Sequence, residues 1–202
     1  VLTQARNAAQ KTTCLSNMRQ MGMAFMMYMD DQDGLMPDRR DLKSAMPSGY
    51  RPWTSWPPSD PRAGWFVEIA RPYTKWTEWS CPSAKGVFAG RPQVRQQTLS
   101  FAGESWVWMW RFDRNDPSVI ELDNFWGKSV EGAIADLQAA NNPAIGQPEG
   151  PSQVELAVDP FFPSTIPSVD AALKGRTSHF AGRNRLHLDG SVRFINDART
   201  RR

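Results

Sequence analysis

Along the start of the chain Leu15, Met18, Gly22, Phe25 and Met29 recur at alternating steps of three and four, and Ala8 extends the row upstream. That period puts one stripe on one face of a helix, with Arg6, Lys11 and Arg19 off it. No proline interrupts this Ala-, Gln- and Met-rich stretch, so the spacing predicts a single helix over 1–29 that lies with one side against the rest of the molecule. The segment MDDQDGLMP then ends it: Asp and Gly offer turn conformations, and Pro37 blocks continuation.

Further elements follow from the same patterning. Trp65, Phe66 and Ile69 share a face and predict a short helix over 64–73, stopped before Pro72. Residues 97–110 read as a strand with Gly103 at a bulge or turn. Residues 129–140 read as a helix with Ser129 as its N-cap. Val154, Leu156 and Val158 alternate into a strand that Pro160 ends. By composition, 38–63 and 141–152 are loops. Near the end, Leu186 and Leu188 before Asp189-Gly190 and Val192 and Phe194 after it predict a hairpin on a type I′ turn, whose two central residues need positive φ. His187 then faces away from the leucines.

A length of 202 residues suits one domain, 1–202, made of the helix 1–29 and a head 30–202. With 40% hydrophobic and 22% charged residues the chain belongs with globular proteins, not with disordered ones. The net charge of +3 comes from interspersed residues, and the terminal Arg-Thr-Arg-Arg is a solvated tail, so no nucleic-acid partner is expected. No apolar run reaches the 18 residues of a membrane span. The nine tryptophans and many of the prolines fall in the middle of the chain, which predicts an irregular insert pinned by aromatic packing. If exposed, Trp53, Trp56, Trp76 and Trp79 could stack on sugar rings.

Candidate chemistry is sparse. Both histidines, His179 and His187, lie close to Asp189, but two imidazoles and one carboxylate are a thin zinc set, and H-E-x-x-H is absent. Ser178 precedes His179 directly, and neighbours in a strand point apart, so they make no nucleophilic pair. Neither a G-x-S-x-G elbow nor a phosphate-binding glycine loop occurs. A small metal-dependent hydrolase on His179, His187 and Asp189 is therefore the weakest of three functional readings. Asp30, Asp31 and Asp33 before Gly34 invite comparison with a calcium loop, yet Met29 holds the first ligand position, which favours a helix-ending turn. No cofactor is expected; calcium is the one ion with candidates, to which composition adds Asp113, Asp116 and Asp123. Cys14 and Cys81 fit two free thiols or one disulfide, and their spacing is no C-x-x-C motif.

Three stretches together resemble one family. His179, nine residues and Asp189-Gly190 reproduce the C-terminal H-x9-DG pattern of pilin-like proteins of environmental bacteria, especially the planctomycete, verrucomicrobial and armatimonad groups. Cys14 to Asn17, Arg19, Gln20, Tyr28, Asp31 to Gly34 and Pro37 resemble the run those proteins carry after a prepilin-type leader and membrane helix. The Cys-Pro-Ser at Cys81 is similar to a recurring element of the same family. The Trp-rich centre carries none of the resemblance.

The resemblance implies an α+β, pilin-like fold: a long N-terminal helix packed on an antiparallel sheet, with a C-terminal hairpin and the Trp/Pro-rich insert. It also implies an oxidising, extracytoplasmic setting, which favours a Cys14–Cys81 disulfide, and a leader and apolar helix ahead of Val1 that prepilin peptidase and the inner membrane would handle. Function is then structural: a pseudopilin or minor pilin of a type II secretion or type IV pilus-like machine, with other pilin subunits as partners and no catalysis. The alternative within that setting is an adhesin-like head that binds polysaccharide through the exposed Trp residues. His179 is expected to bond across to backbone or to a carboxylate such as Asp159, and Asp189-Gly190 to set the register of the last strands.

Overall fold

A computed structural model describes residues 2–37, 70–75, 81–88, 96–97, 104–105, 125, 127–141, 146–160 and 171–196. The predicted N-terminal helix is present as α1 (Leu2–Asp31). Gln32 and Gly34 donate back to the Met29 carbonyl, and Asp33 and Gly34 take the positive φ that ends the helix. The row of Met18, Gly22, Phe25 and Met29 is buried, but the contact face is wider than the row and also takes in Cys14, Met21, Ala24 and Tyr28. Ala8 does not continue it. Residues 3–9 are exposed, and Leu15 is only partly covered, so α1 is held by its C-terminal two thirds.

Opposite α1 lies an antiparallel sheet in the order β3-β4-β5, built from Glu155–Val158, Gly182–His187 and Val192–Asn196. Leu186 and Leu188 join Met18, Met21, Phe25 and Met29 in one apolar cluster with Val154 and Leu156. Each such side chain removed from water contributes roughly 1.5–3 kcal/mol. Helix α3 (Val130–Ala140) adds Ala133 and Leu137 to this core. As predicted, Ser129 caps it, its hydroxyl accepting from the Gly132 N–H at 3.1 Å. The chain leaving α1 pairs with the approach to α3 through a Leu35–Ser129 bridge and the Met36 N–H to Lys128 carbonyl bond.

Between these parts sits the short helix α2 (Pro82–Val87), packed on α1. Two two-residue strands, β1 (Gln96–Gln97) and β2 (Glu104–Ser105), pair antiparallel where a single long strand was expected; 98–103 and 106–110 lie outside the described residues. Residues 70–75 form a turn, and 64–69 of the predicted short helix also fall outside. The helix-plus-antiparallel-sheet arrangement makes the fold α+β.

Two strand expectations need correction. Strand β3 does not alternate: Leu156, Ala157 and Val158 are all buried, because the register slips between Glu155 and Ala157 and the irregularity leaves successive side chains covered on both faces. The hairpin turn is not a two-residue type I′ turn either. Gly190 donates to the His187 carbonyl at 2.9 Å, His187 pairs with Ser191, and only Gly190 has positive φ. The loop is thus three residues, Leu188, Asp189 and Gly190, with the glycine in the left-handed position. Asp189 gains by it: its carboxylate accepts the Ser191 N–H at 2.9 Å. The extra residue also lets Leu188 turn into the core, fully buried, with its N–H on the Val154 carbonyl.

Candidate functional site

Four buried side chains from different elements meet where α1 crosses the sheet. Cys14 lies on the inner face of α1. Cys81 is the N-cap of α2; Pro82 opens that helix without needing a donor, and the sulfur accepts from the Ala84 N–H at 3.4 Å. Asp159 follows β3, where its N–H takes the Asn184 carbonyl and its Oδ2 receives the Asn184 N–H at 2.9 Å. His179 sits just before β4, in a tight turn whose fold-back brings Gly182 beside it.

The turn is closely built. Gly182 donates to the His179 carbonyl, the Thr177 hydroxyl donates to the Gly182 carbonyl at 3.2 Å, and Ala181 has a φ of 61°. A Cβ on Gly182 would stand 2.3 Å from the Ile195 carbonyl oxygen, so only glycine fits there. The imidazole is fixed edge-on to Phe194, whose face also carries the Lys11 ammonium.

The two sulfurs are 2.7 Å apart, and His179 Nε2 lies 3.7 Å from the Cys81 sulfur, 3.1 Å from Asp159 Oδ2 and 3.2 Å from the Asn184 side-chain nitrogen. Both cysteines are free thiols here. A single ring nitrogen cannot donate to Asp159 and accept from an amide N–H at once. Asn184 Oδ1 is buried without a partner, and turning the amide end for end would let that oxygen share the imidazole proton. Asp159 Oδ1 and Ser178 Oγ are likewise buried and unpartnered.

The charges in this pocket depend on one another. Burial by itself lowers the His179 pKa, but the hydrogen bond with Asp159 and then the Cys14 sulfur outweigh it and hold the imidazolium to about 9. Cys14 is lowered to about 6, first by its hydrogen bond with Cys81 and, against burial, by His179. Burial and the neighbouring sulfur push Cys81 well up. Cys14 is therefore the more acidic of the two sulfurs, with a basic imidazole beside it. Such a group can close to a disulfide, persist as a buried ion pair, or ligate a soft cation.

The expected bond from His179 to Asp159 is present, and the residues Cys14, Cys81 and His179 of the three resembling stretches come together. Asp189 and Gly190 do not join them. Gly190 instead lies against α1 at Gly22, where a Cβ would meet the Gly190 carbonyl oxygen at 3.0 Å and Leu186 Cδ1 at 2.8 Å, and Asp189 is exposed. The hydrolase triad does not assemble. Leu186 faces α1, so its neighbour His187 lies on the opposite face of β4, itself buried with Nδ1 at the Ser191 carbonyl, while Asp189 is committed to its turn. The Ser191 hydrogen bonds hold the Asp189 carboxyl below its ordinary range against the effect of burial.

Asp30, Asp31 and Asp33 are exposed at the end of α1, and Asp31 accepts the Tyr73 hydroxyl. Among the described residues they form no group of converging ligands; the Cys14, Cys81 and His179 group is the one that does. Trp53, Trp56, Trp76 and Trp79, with Asp113, Asp116 and Asp123, lie outside the described residues. Asn184 was missed by the sequence reading. Its signal is parity: it shares the inward face of β4 with Leu186, where a polar residue must have a partner. The chain matches no family model, no curated protein and no solved structure.

Proposed function

We propose that this chain is the head of a non-catalytic filament subunit, a pseudopilin or minor pilin of a type II secretion or type IV pilus-like machine, working in an oxidising extracytoplasmic space. One observation carries the reading. The three stretches that resemble that family are distant in sequence, yet they meet along α1: Cys81 and His179 at Cys14, and Gly190 at Gly22. A motif set that serves to lock a long helix to a sheet has a mechanical purpose and needs no substrate.

The free end of the helix fits the same purpose. Residues 3–9 are exposed while the rest of α1 is held by the head, which leaves helix surface for neighbouring subunits. Adjacent buried sulfurs suit an oxidising space, where a disulfide would close a long loop and contribute about 4 kcal/mol by the chain-entropy argument. The reading is tested on the protein isolated from its own cells. Mass spectrometry should find an N-methylated amino terminus on an apolar helix ahead of α1, a mass two hydrogens short until reductant is added, and recovery with sheared surface fibres or the inner membrane. An unprocessed cytoplasmic protein with two alkylatable thiols would sink it.

A further inference from the structure

We propose that in its dithiol state this chain binds a zinc ion between Cys14, Cys81 and His179, with the Asp159 carboxylate, which touches His179 but stands outside that mutually close group, turning in as the fourth ligand. The proposal stands apart from the filament reading, since it needs only reduced sulfurs and the observed fold.

The geometry is close to what the ion requires. The ligand atoms of Cys14, Cys81 and His179 all lie within 4.8 Å of one another, and all three residues are buried. Zinc bonds of about 2.3 Å to sulfur and 2.0–2.2 Å to nitrogen or oxygen set tetrahedral edges of roughly 3.3–3.8 Å. The Cys81 sulfur to His179 Nε2 distance is 3.7 Å and the His179 Nε2 to Asp159 Oδ2 distance 3.1 Å, so two edges are nearly formed. The 2.7 Å between the sulfurs must open by about 1 Å to span such an edge, a change shared by two side-chain rotations.

The ligands come from parts that the fold fixes independently. One is on a 30-residue helix, one caps α2, and two flank adjacent strands. Asp159 Oδ2 already takes the Asn184 N–H, which would orient the carboxylate as an outer-shell partner does, and Asp159 Oδ1 is buried without any partner.

Ligand type selects the ion. Two thiolates disfavour magnesium and calcium, while an imidazole and a carboxylate favour zinc over a monovalent soft cation. Four protein ligands leave no open position, so the site would hold structure and not activate water. Binding is an exchange of protons for metal: whatever proton the sulfurs still hold, chiefly that of Cys81, and the one on Nε2 leave to solvent, and no electron moves.

The test uses the reduced, metal-free chain under anaerobic conditions, titrated with Co2+ as a coloured stand-in and then with Zn2+. Stoichiometric uptake with a thiolate-to-cobalt charge-transfer band and intense tetrahedral d–d bands is expected; Zn2+ should bleach them and raise the melting temperature. Cys14→Ser should cut the charge-transfer intensity, and His179→Ala should weaken binding by about 10-fold or more. His187→Gln should change neither. Because Cys14→Ser could fail to fold, the oxidised wild type serves as a second comparison: closing the disulfide should abolish uptake in a chain that remains folded. A folded, reduced chain without the charge-transfer band overturns the proposal, as does a band that survives disulfide formation.

Discussion

The C-terminal hairpin is anchored to α1 twice, and the two anchors are unlike. At one end His179 reaches Cys14 through a buried cluster of sulfur, imidazole and carboxylate. At the other, about 12 Å further along the helix, Gly190 and Leu186 rest on Gly22 with no polar side chain in the contact. The first anchor holds by charge and hydrogen bonds that must all be satisfied together. The second holds by the absence of a side chain. A chemical anchor can be altered by proton, electron or metal, whereas a steric one is fixed by sequence.

Breaking the polar anchor should cost most. In His179→Ala the Asp159 carboxylate loses its imidazolium while staying fully buried, and leaving one half of a buried pair costs about 3–5 kcal/mol. The expected outcome is a large drop in denaturation midpoint at unchanged m-value, read by urea titration. An unshifted midpoint would remove the cluster from the list of things that hold the fold.

At the steric anchor Gly22→Ala sets two effects against each other. Alanine is the better helix former by roughly 0.5–1 kcal/mol. Its Cβ, however, would stand 2.8 Å from Leu186 Cδ1 and 3.0 Å from the Gly190 carbonyl oxygen, and the latter is backbone that cannot swing aside. Overpacking of this kind costs about 1–3 kcal/mol, so a net loss is expected, smaller than that of His179→Ala. The sign decides the matter: a variant more stable than the parent would mean that the hairpin turn does not press on the helix.

The polar anchor should also answer to pH, in a way that the wild type conceals. His179 is raised to about 9 from 6.5, so its contribution is full below 6.5 and disappears as pH rises through 9. Cys14 is lowered to about 6 from 9.0, so its contribution is full above 9 and disappears as pH falls through 6. Across roughly pH 6.5–9 the folded pair binds as many protons as the unfolded one, and the slopes cancel. Melting temperature in reductant should be nearly flat over that window. In Cys14→Ser the cancelling partner is gone and Asp159 still supports the imidazolium, so the melting temperature should fall as pH climbs. A variant as flat as the parent would show that His179 carries no charge in the fold.

How much of this was legible in the sequence differs between the two anchors as well. The helix, its stop at Asp33-Gly34, the Ser129 cap and the hairpin all announce themselves locally, through periodicity and turn chemistry. The His179 to Asp159 bond could be anticipated because a buried imidazole needs an acceptor. The meeting of Cys14, Cys81 and His179 could not be read from spacing, since it depends on how α1 and α2 cross the sheet. Asn184 hid for the same reason, and the turn length was misjudged because Asp-Gly suits two loop types. What separates them is whether Asp189 spends its carboxylate on Ser191. Ala8 failed differently: periodicity says which face an apolar residue occupies but not whether anything comes to cover it.

The smallest effect tests where strain lies between the anchors. Each end of the motif has a residue in the left-handed region, Gly190 at the steric anchor and Ala181 beside His179 at the polar one. Glycine adopts that region freely, while an L-residue with a Cβ is opposed by about 1–2 kcal/mol. Ala181→Gly would recover that strain and lose roughly 0.5–1 kcal/mol to the greater freedom of the unfolded chain, leaving, at the middle of both ranges, a net gain of under about 1 kcal/mol. In a chain of this length such a gain raises the melting temperature by about 2–4 °C at most. The same rise should appear in reduced and oxidised protein alike, because the strain is in the backbone and not in the sulfurs. If the gain appears only in the reduced protein, the turn is being drawn into its conformation by the cluster, and the polar anchor reaches further into the hairpin than its hydrogen bonds alone describe.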